Sequence, residues 1–350
     1  MDELKRRATV HDVAREAGVS LATVDRVLNG RPGVRTETAE KVAEAIRVLD
    51  FRRDVSASLL ARARDLSVTF LIPDGGNAFM AALNAAIARQ AQALKGERLS
   101  IASRAIQAFD PAALSAALLA LDPDSTDCAV IVATEHEAVR RAVEAASRRG
   151  IAVVTLVSDL PGSARRHFVG IDNAAAGRTA ASLMGRFCPA GDATGRIGIL
   201  AGSLGLSDHR ERLDGFTAVM RAEFPGREIV GPYEGLDDDA RTEAAAAELL
   251  AGPPLGGIYN LGAGNAGLIA ALERAGMTGK IRVIAHELTE ATREGLRSGA
   301  IDVVLDQNPD REIAAALAVA RSYAMGAAAA LGAPQPAPIE IGLFLRDNLA

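Results

Sequence analysis

From Leu66 onward the chain alternates short apolar runs with amphipathic stretches of helical period, and this alternation narrows its possible folds more than any other feature. Strand-like runs include SVTFLIPD, RLSIASRAI, CAVIVAT, IAVVTLVSD and FVGID, then RIGILAGS, REIVGPYEG, GGIYNLG, RVIAHEL, IDVVLDQNP and IEIGLFLRD. The periodicity predicts helices between them, among them Ala81 to Leu94, Pro111 to Leu121, Glu137 to Arg149, Ala174 to Phe187, Glu211 to Glu223, Thr242 to Leu250 and Glu312 to Leu331. Strands separated by helices pair in parallel, with helices on both faces of the sheet. The units are too many for one sheet, so two similar α/β lobes are expected, with the chain crossing between them. Ligands of such folds bind at the carboxyl ends of the strands. Between two lobes, that edge is a cleft.

Thr9 to Arg31 has a different texture. Val10, Val13, Ala14 and Ala17 recur at helical spacing; Gly18 suits a sharp turn; Ser20 is a good N-cap for a second helix with Val24, Val27 and Leu28 as its buried stripe. Leu21, Ala22, Thr23, Asp25 and Arg26 are left facing outward. A helix, a glycine turn and a second helix that opens on small, polar and basic residues make a helix-turn-helix. Thr36 is expected to cap a third helix with the stripe Ala39, Val42, Ala43, Ile46 and Leu49, closing a small three-helix core.

Charge is divided accordingly. The 350 residues carry a net charge of −5, which excludes a protein that coats nucleic acid over its whole surface. Residues 1–64, however, hold 13 Lys and Arg against 10 Asp and Glu, and the remainder 26 against 34. A basic head on an acidic body suits local contact with phosphate. The start, MDELKRRATV, has no apolar stretch resembling a signal peptide, and no apolar run reaches the roughly 18 residues of a membrane span, so the cytoplasm is the expected compartment. Cys128 and Cys188 are isolated thiols without metal-ligand spacing, and no bound metal or cofactor is expected.

VHDVAREAGVSLATVDRVLNG resembles the amino-terminal signature of the LacI/GalR (lactose-repressor) family of transcription regulators. The resemblance implies a DNA-binding headpiece (1–53), a hinge helix or linker (54–66) and a core (67–350) like the type I periplasmic binding proteins. Its first lobe would take about 67–170 and 308–333, its second about 171–307 and 334–350. It implies Leu21, Ala22 and Arg26 at base edges, with Thr23, Asn29 and Thr36 on phosphate, Thr9, Ser20 and Asp25 alongside, and Leu60 as the hinge leucine that wedges into the minor groove. The family's usual T-V-S-R-V reads Thr23-Val24-Asp25-Arg26-Val27 here, and its Pro-Asn before the hinge reads Arg53-Asp54.

The residues that follow the strands form a ring of carboxylates, amides and guanidinium groups, a composition suited to hydroxyls, which both donate and accept. Asn77, His136, Asp159, Arg212, Asn260, His286, Glu287 and Gln307 are the candidate effector ligands, with Phe79 and Tyr233 placed to lie against the apolar face of a sugar ring. The resemblance supports Arg212 in R-L-D-G-F, Asp159 at a strand end, Glu287 in place of the family's usual Asp, Gln307 at the lobe crossover, and Asn77 with Phe79 as the N-x-F of ribose-type sensors. With no Trp to stack a large glycan, a monosaccharide, pentose or polyol is expected. The resulting expectation is a homodimeric repressor, not an enzyme, controlled by a small sugar.

Two other readings are open at this point. Gly262-Ala263-Gly264-Asn265-Ala266-Gly267 is a full G-x-G-x-x-G after a strand, with Glu287 20 residues beyond Gly267, the pattern of a dinucleotide site in a nicotinamide-linked oxidoreductase. A solute-binding transport component would share the core but not the headpiece.

Overall fold

The computed structural model describes residues 8–28, 33–49, 51, 65–188, 195–324 and 339–349. The first three helices are α1 (Val10–Ala17), α2 (Leu21–Leu28) and α3 (Thr36–Val48). Helix α1 starts with a reciprocal capping box: Asp12 N–H donates to the Thr9 hydroxyl, and Thr9 N–H donates to the Asp12 carboxylate at 2.8 Å. It ends at Gly18, whose φ of +64° is the left-handed conformation a C-cap glycine supplies without strain. Val13, Ala14, Val24, Val42 and Ala45 make the buried core, with Val19, Val27, Ile46, Leu49 and Phe51 packed around it. Thr36 is not the cap of α3: it is the first helical residue, and Arg35 precedes it without a side-chain capping bond.

The core contains two sheets. The first holds β1 (Leu66–Asp74), β2 (Leu99–Gln107), β3 (Cys128–Ile131), β4 (Ala152–Leu156) and β5 (His167–Val169), all parallel, in the order β2-β1-β3-β4-β5. The second holds β6 (Arg196–Ala201), β7 (Glu228–Glu234), β8 (Gly257–Asn260), β9 (Arg282–His286), β10 (Val303–Asp306) and β11 (Gly342–Phe344), in the order β11-β10-β9-β8-β6-β7. Only β11 runs antiparallel. It reaches the sheet edge after the chain has visited the other sheet, so the right-handed crossover that enforces parallel pairing does not act on it.

Helices α4 (Ala78–Ala93), α5 (Pro111–Leu119), α6 (Glu137–Arg148) and α12 (Pro309–Ala324) cover the first sheet; α7 (Asn173–Phe187), α8 (Ser207–Glu223), α9 (Asp239–Ala251), α10 (Asn265–Arg274) and α11 (Glu290–Ser298) cover the second. Each sheet has an apolar cluster on both faces, as a parallel sheet requires. Several helices begin a turn earlier than the apolar period suggests. Helix α8 opens at Ser207 rather than Glu211, and α9 at Asp239 rather than Thr242, because their first turns carry polar residues. No described helix is long and apolar enough to cross a membrane.

Helices α7 and α8 pack unusually closely. A Cβ on Gly177 would lie 2.0 Å from the Arg212 carbonyl oxygen, and one on Gly215 would lie 2.2 Å from that of Ala174. Neither backbone can yield without parting the helices. Gly177→Ala is therefore expected to destabilise the fold by about 1–3 kcal/mol, the usual cost of overpacking. Thermal melting measures it, and an unchanged melting temperature would mean that the helices can separate freely.

Candidate functional site

The carboxyl ends of the two sheets face one another and are joined by hydrogen bonds. Ser207, at the start of α8, reaches the loop after β4: its hydroxyl donates to the Asp159 carbonyl at 2.9 Å and accepts from Asp159 N–H at 2.8 Å. Glu135 N–H donates to the Gly205 carbonyl at 3.1 Å, and the Glu135 carboxylate pairs with Arg210. Asn77 caps α4 through Oδ1, which accepts from the Phe79 and Met80 amides, while its Nδ2 donates to Asp237 at 3.1 Å. Beside that bridge lies a cavity of about 300 Å³ whose wall includes Asp74, Asn77, Gln107, Thr134, Asp237 and Arg241.

Deeper on the second sheet, Arg212 is among the largest fully buried side chains of the described residues. Helix α8 carries it, and its Nε donates to Asn173 at 2.9 Å and its Nη1 to the Leu261 carbonyl at 2.9 Å. The Glu287 carboxylate lies 3.7 Å from Nη1. Gln307, just after β10, donates to the same Glu287 oxygen at 2.7 Å. Glu287 has a φ of +71°, a left-handed conformation that a non-glycine residue rarely adopts. Burial pushes its carboxyl up to about 8, with Arg212 pulling the other way. His286 is held well below the usual imidazole range, first by burial and then by Arg212 and His209. It is thus neutral, and its Nε2 lies 2.9 Å from the Tyr259 hydroxyl. Tyr259 in turn stacks on Phe216 with ring centroids 4.8 Å apart.

What this cluster lacks is as informative as what it has. Arg212 Nη2, Glu287 Oε2, Gln307 Oε1, Asp208 Oδ1 and both carboxylate oxygens of Glu312 are buried with no hydrogen-bond partner. A buried polar atom left unpaired costs about 1–3 kcal/mol, more if charged, so folded proteins rarely tolerate one. Several gathered in one electrostatically coupled group mark a place where a polar ligand supplies the missing bonds.

Arg212, His286, Glu287 and Gln307 thus come together in this cluster, with Asn260 and Asp159 at its margins. Asn260 is spent locally, donating to Asn265 at 2.9 Å and to the Ala263 carbonyl at 3.1 Å. Asp159 accepts from Thr155 at 2.6 Å and pairs with Arg165. Three expectations need correction. Phe79 packs into the apolar core of the first lobe, because the first turn of α4 directs it inward. His136 is exposed and caps α6, its Nδ1 accepting from Ala138 N–H at 3.1 Å. Tyr233 lies on the edge strand β7 and packs against the apolar cluster between the second sheet and helices α9, α10 and α11. Sequence reasoning passed over Tyr259, Asn173 and Glu312. Only Glu312 carried a signal: it shares a helical face with Ala316, Val319 and Ala320, and an acid on a buried stripe is anomalous.

The glycine loop does not offer a phosphate site. Ala263 N–H already donates to the Asp237 carboxylate at 2.8 Å and Gly262 N–H to Asn260 at 3.4 Å, while a Cβ at Gly267 would lie 1.8 Å from the Asp239 carbonyl. Gly264 and Gly267 serve close packing of α10 on α9, and the Gly262, Ala263 and Gly267 amides are filled from within the chain.

In the headpiece Leu21 is 44% exposed, and Ala22, Asp25 and Arg26 share that open face of α2. Thr9 and Ser20 cap helices, Ser20 accepting from Thr23 N–H at 3.2 Å, and Thr23 is half-buried beside it. Thr36 is exposed at the start of α3. Asn29 and Leu60, and with Leu60 the hinge, lie outside the described residues.

Two packed α/β lobes with unpaired polar groups between them define a periplasmic-binding-protein-type sensor core, here preceded by a helix-turn-helix. Residues 68–328 match the periplasmic binding protein domain, and residues 9–54 match the lacI family of bacterial regulatory proteins. The chain belongs to the periplasmic binding protein domain family, and its first three helices lie in the segment that matches the lacI family model. Among curated relatives, catabolite control protein A of Priestia megaterium is 48% identical over 75 residues, 21% of this chain and 23% of that protein. The HTH-type transcriptional regulator pepR1 of Lactobacillus delbrueckii subsp. lactis is 43% identical over 83 residues, 24% of this chain and 25% of that one. These matches span about a quarter of the relatives' length. A solute-binding protein of Burkholderia graminis, solved with D-arabinose, superposes with a TM-score of 0.73 at 26% identity, covering 82% of this chain and 97% of that chain. GanP, a glucose-galactose binding protein of Geobacillus stearothermophilus, gives 0.70 at 18% identity, covering 82% and 99%.

Proposed function

We propose that this protein is a DNA-binding transcription regulator, acting as a homodimeric repressor in the cytoplasm, whose operator affinity is set by a small polyhydroxylated compound held between the core lobes. The observation that carries the ligand half is the set of buried, partnerless atoms on Arg212, Glu287, Gln307, Asp208 and Glu312. The D-arabinose complex of the structurally similar Burkholderia graminis protein supports a monosaccharide or polyol of that size. The DNA half rests on the lacI-family headpiece and its open α2 face. One helix-turn-helix reads a short half-site, so two related by a two-fold axis give usable specificity. No catalysis is proposed. The ligand acts by binding one arrangement of the lobes better than another.

The ligand half is tested by a thermal-shift screen of sugars and polyols on the full chain, repeated with operator DNA. A compound that raises the melting temperature and changes DNA affinity supports it; NAD(H) shifting the melt where no sugar does would replace it. For the DNA half, Arg26→Ala is expected to cost about 1–3 kcal/mol of operator binding and relax one half-site position. Unchanged affinity for the cognate operator would take Arg26 out of the interface.

A further inference from the structure

Charge and hydrogen-bonding capacity in the buried cluster are both one-sided. Asp208, Glu287 and Glu312 are 3%, 5% and 0% exposed, and the guanidinium that faces them, Arg212, is 1% exposed. Asp306 adds to the negative field, its two oxygens taken by the Leu288 and Asn308 amides. Among the partnerless atoms of the group around Arg212, Glu287 Oε2, Glu312 Oε1 and Oε2, Asp208 Oδ1 and Gln307 Oε1 can accept, while Arg212 Nη2 can only donate. The neighbouring cavity repeats the bias: its wall holds Asp74, Asp237 and Asp238 against Arg241.

From this imbalance we infer that the ligand is a polyol bearing a protonated amine, such as an amino sugar or amino-alditol, whose ammonium group is received by Glu287 and Glu312. A neutral polyol could satisfy the acceptors through its hydroxyls, but it brings no positive charge to offset the buried acids, which would have to stay protonated. An ammonium brings three donors and one positive charge on a single atom. The two acids also stand on different lobes, Glu287 after β9 of the second sheet and Glu312 in the first turn of α12 on the first. A group bonded to both ties the lobes together. Burial first, and then the Glu287 carboxylate, raise Glu312 well above the ordinary carboxylate range, as expected of an acid that gains from a nearby positive charge.

This inference rests on the polyol-binding reading and narrows it, so the experiment separates the two. Calorimetric affinities of the full chain are compared at pH 7.5 for matched pairs: D-glucose and D-glucosamine, D-galactose and D-galactosamine, D-glucitol and 1-amino-1-deoxy-D-glucitol, with the N-acetyl form of each amino sugar as a neutral control. The amine is expected to bind at least tenfold more tightly than its hydroxyl partner in any pair that binds, and N-acetylation to remove the gain. Glu312→Gln, close to isosteric, should bring the ratio of amine to hydroxyl affinity down to about one, whatever it does to the affinity for either member; Glu287→Gln gives the same readout should the first variant fold poorly, and a ratio kept at the parent value in both overturns the inference. Equal or tighter binding of the hydroxyl members overturns the ammonium inference and leaves the polyol reading standing. Failure of every amine to bind at 10 mM also overturns it, and if the neutral members fail as well, the polyol reading falls with it.

Discussion

Replacing Arg212 with alanine is expected to lower the free energy of unfolding by about 3–5 kcal/mol, the range for breaking a buried ion pair by removing one partner, and to abolish the response to ligand. The guanidinium contributes twice. It braces Asn173 and the Leu261 carbonyl, joining α7, α8 and the loop after β8, and it is the cation set among Glu287, Glu312 and Asp208. Alanine removes both roles, leaving the acids without their buried cation and the Leu261 carbonyl without its guanidinium donor. Lysine would keep the charge but not the planar fork that reaches two acceptors at once, so Arg212→Lys should recover part of the stability and little of the response. Urea unfolding of the two variants beside the parent chain measures the effect. A loss below about 1 kcal/mol for the alanine variant would show that the buried acids do not depend on this cation.

The second large effect concerns pH. Glu287 has its folded-state value raised to about 8 from an ordinary 4.5, chiefly by burial. Asp306 and Asp208 raise it further, against Arg212 and the Gln307 hydrogen bond. The folded chain therefore holds a proton that the unfolded chain has released, and unfolding free energy falls as pH rises wherever that difference exists. Stability of the ligand-free protein should decline from about pH 4.5 and level off above about pH 8. The expected fall is on the order of 3–5 kcal/mol from this group. Glu287→Gln keeps an oxygen for the Gln307 amide and carries no proton to lose. The variant should be flatter across this window and more stable than the parent at pH 8. Parallel slopes for the two chains would assign the pH dependence to other groups.

Much of this architecture can be read from local chemistry. Strand–helix alternation is a periodicity, and periodicity survives in a single sequence; so does the T-x-x-D box at Thr9 and Asp12. The strand-end rule also gathered Arg212, His286, Glu287 and Gln307. It overreached where an equally polar residue had a local use, as with His136 capping α6. It failed for Phe79 and Tyr233 because which face of an element meets the core is decided by tertiary packing. Asp208 and His209 read as loop residues because the first turn of α8 is polar, and that turn is polar because it borders the site. Glu312 went unnoticed among ordinary helix-surface acids, although its phase on α12 set it with the buried residues.

The turn after β8 bears on which anions the core can accept. In nucleotide-binding folds a glycine-rich turn at a helix start is a seat for phosphate. Here Asp237 occupies it as a resident anion, bonded to the Ala263 amide on one side and Asn77 on the other. A phosphorylated sugar would meet that carboxylate, Asp238 and Asp74 at the cavity wall, with the seat already taken. On the proposed ligand-binding function, this wall would disfavour the phosphorylated form of a compound relative to the free one. On the proposed ligand-controlled function, the response would follow the supply of the unphosphorylated compound.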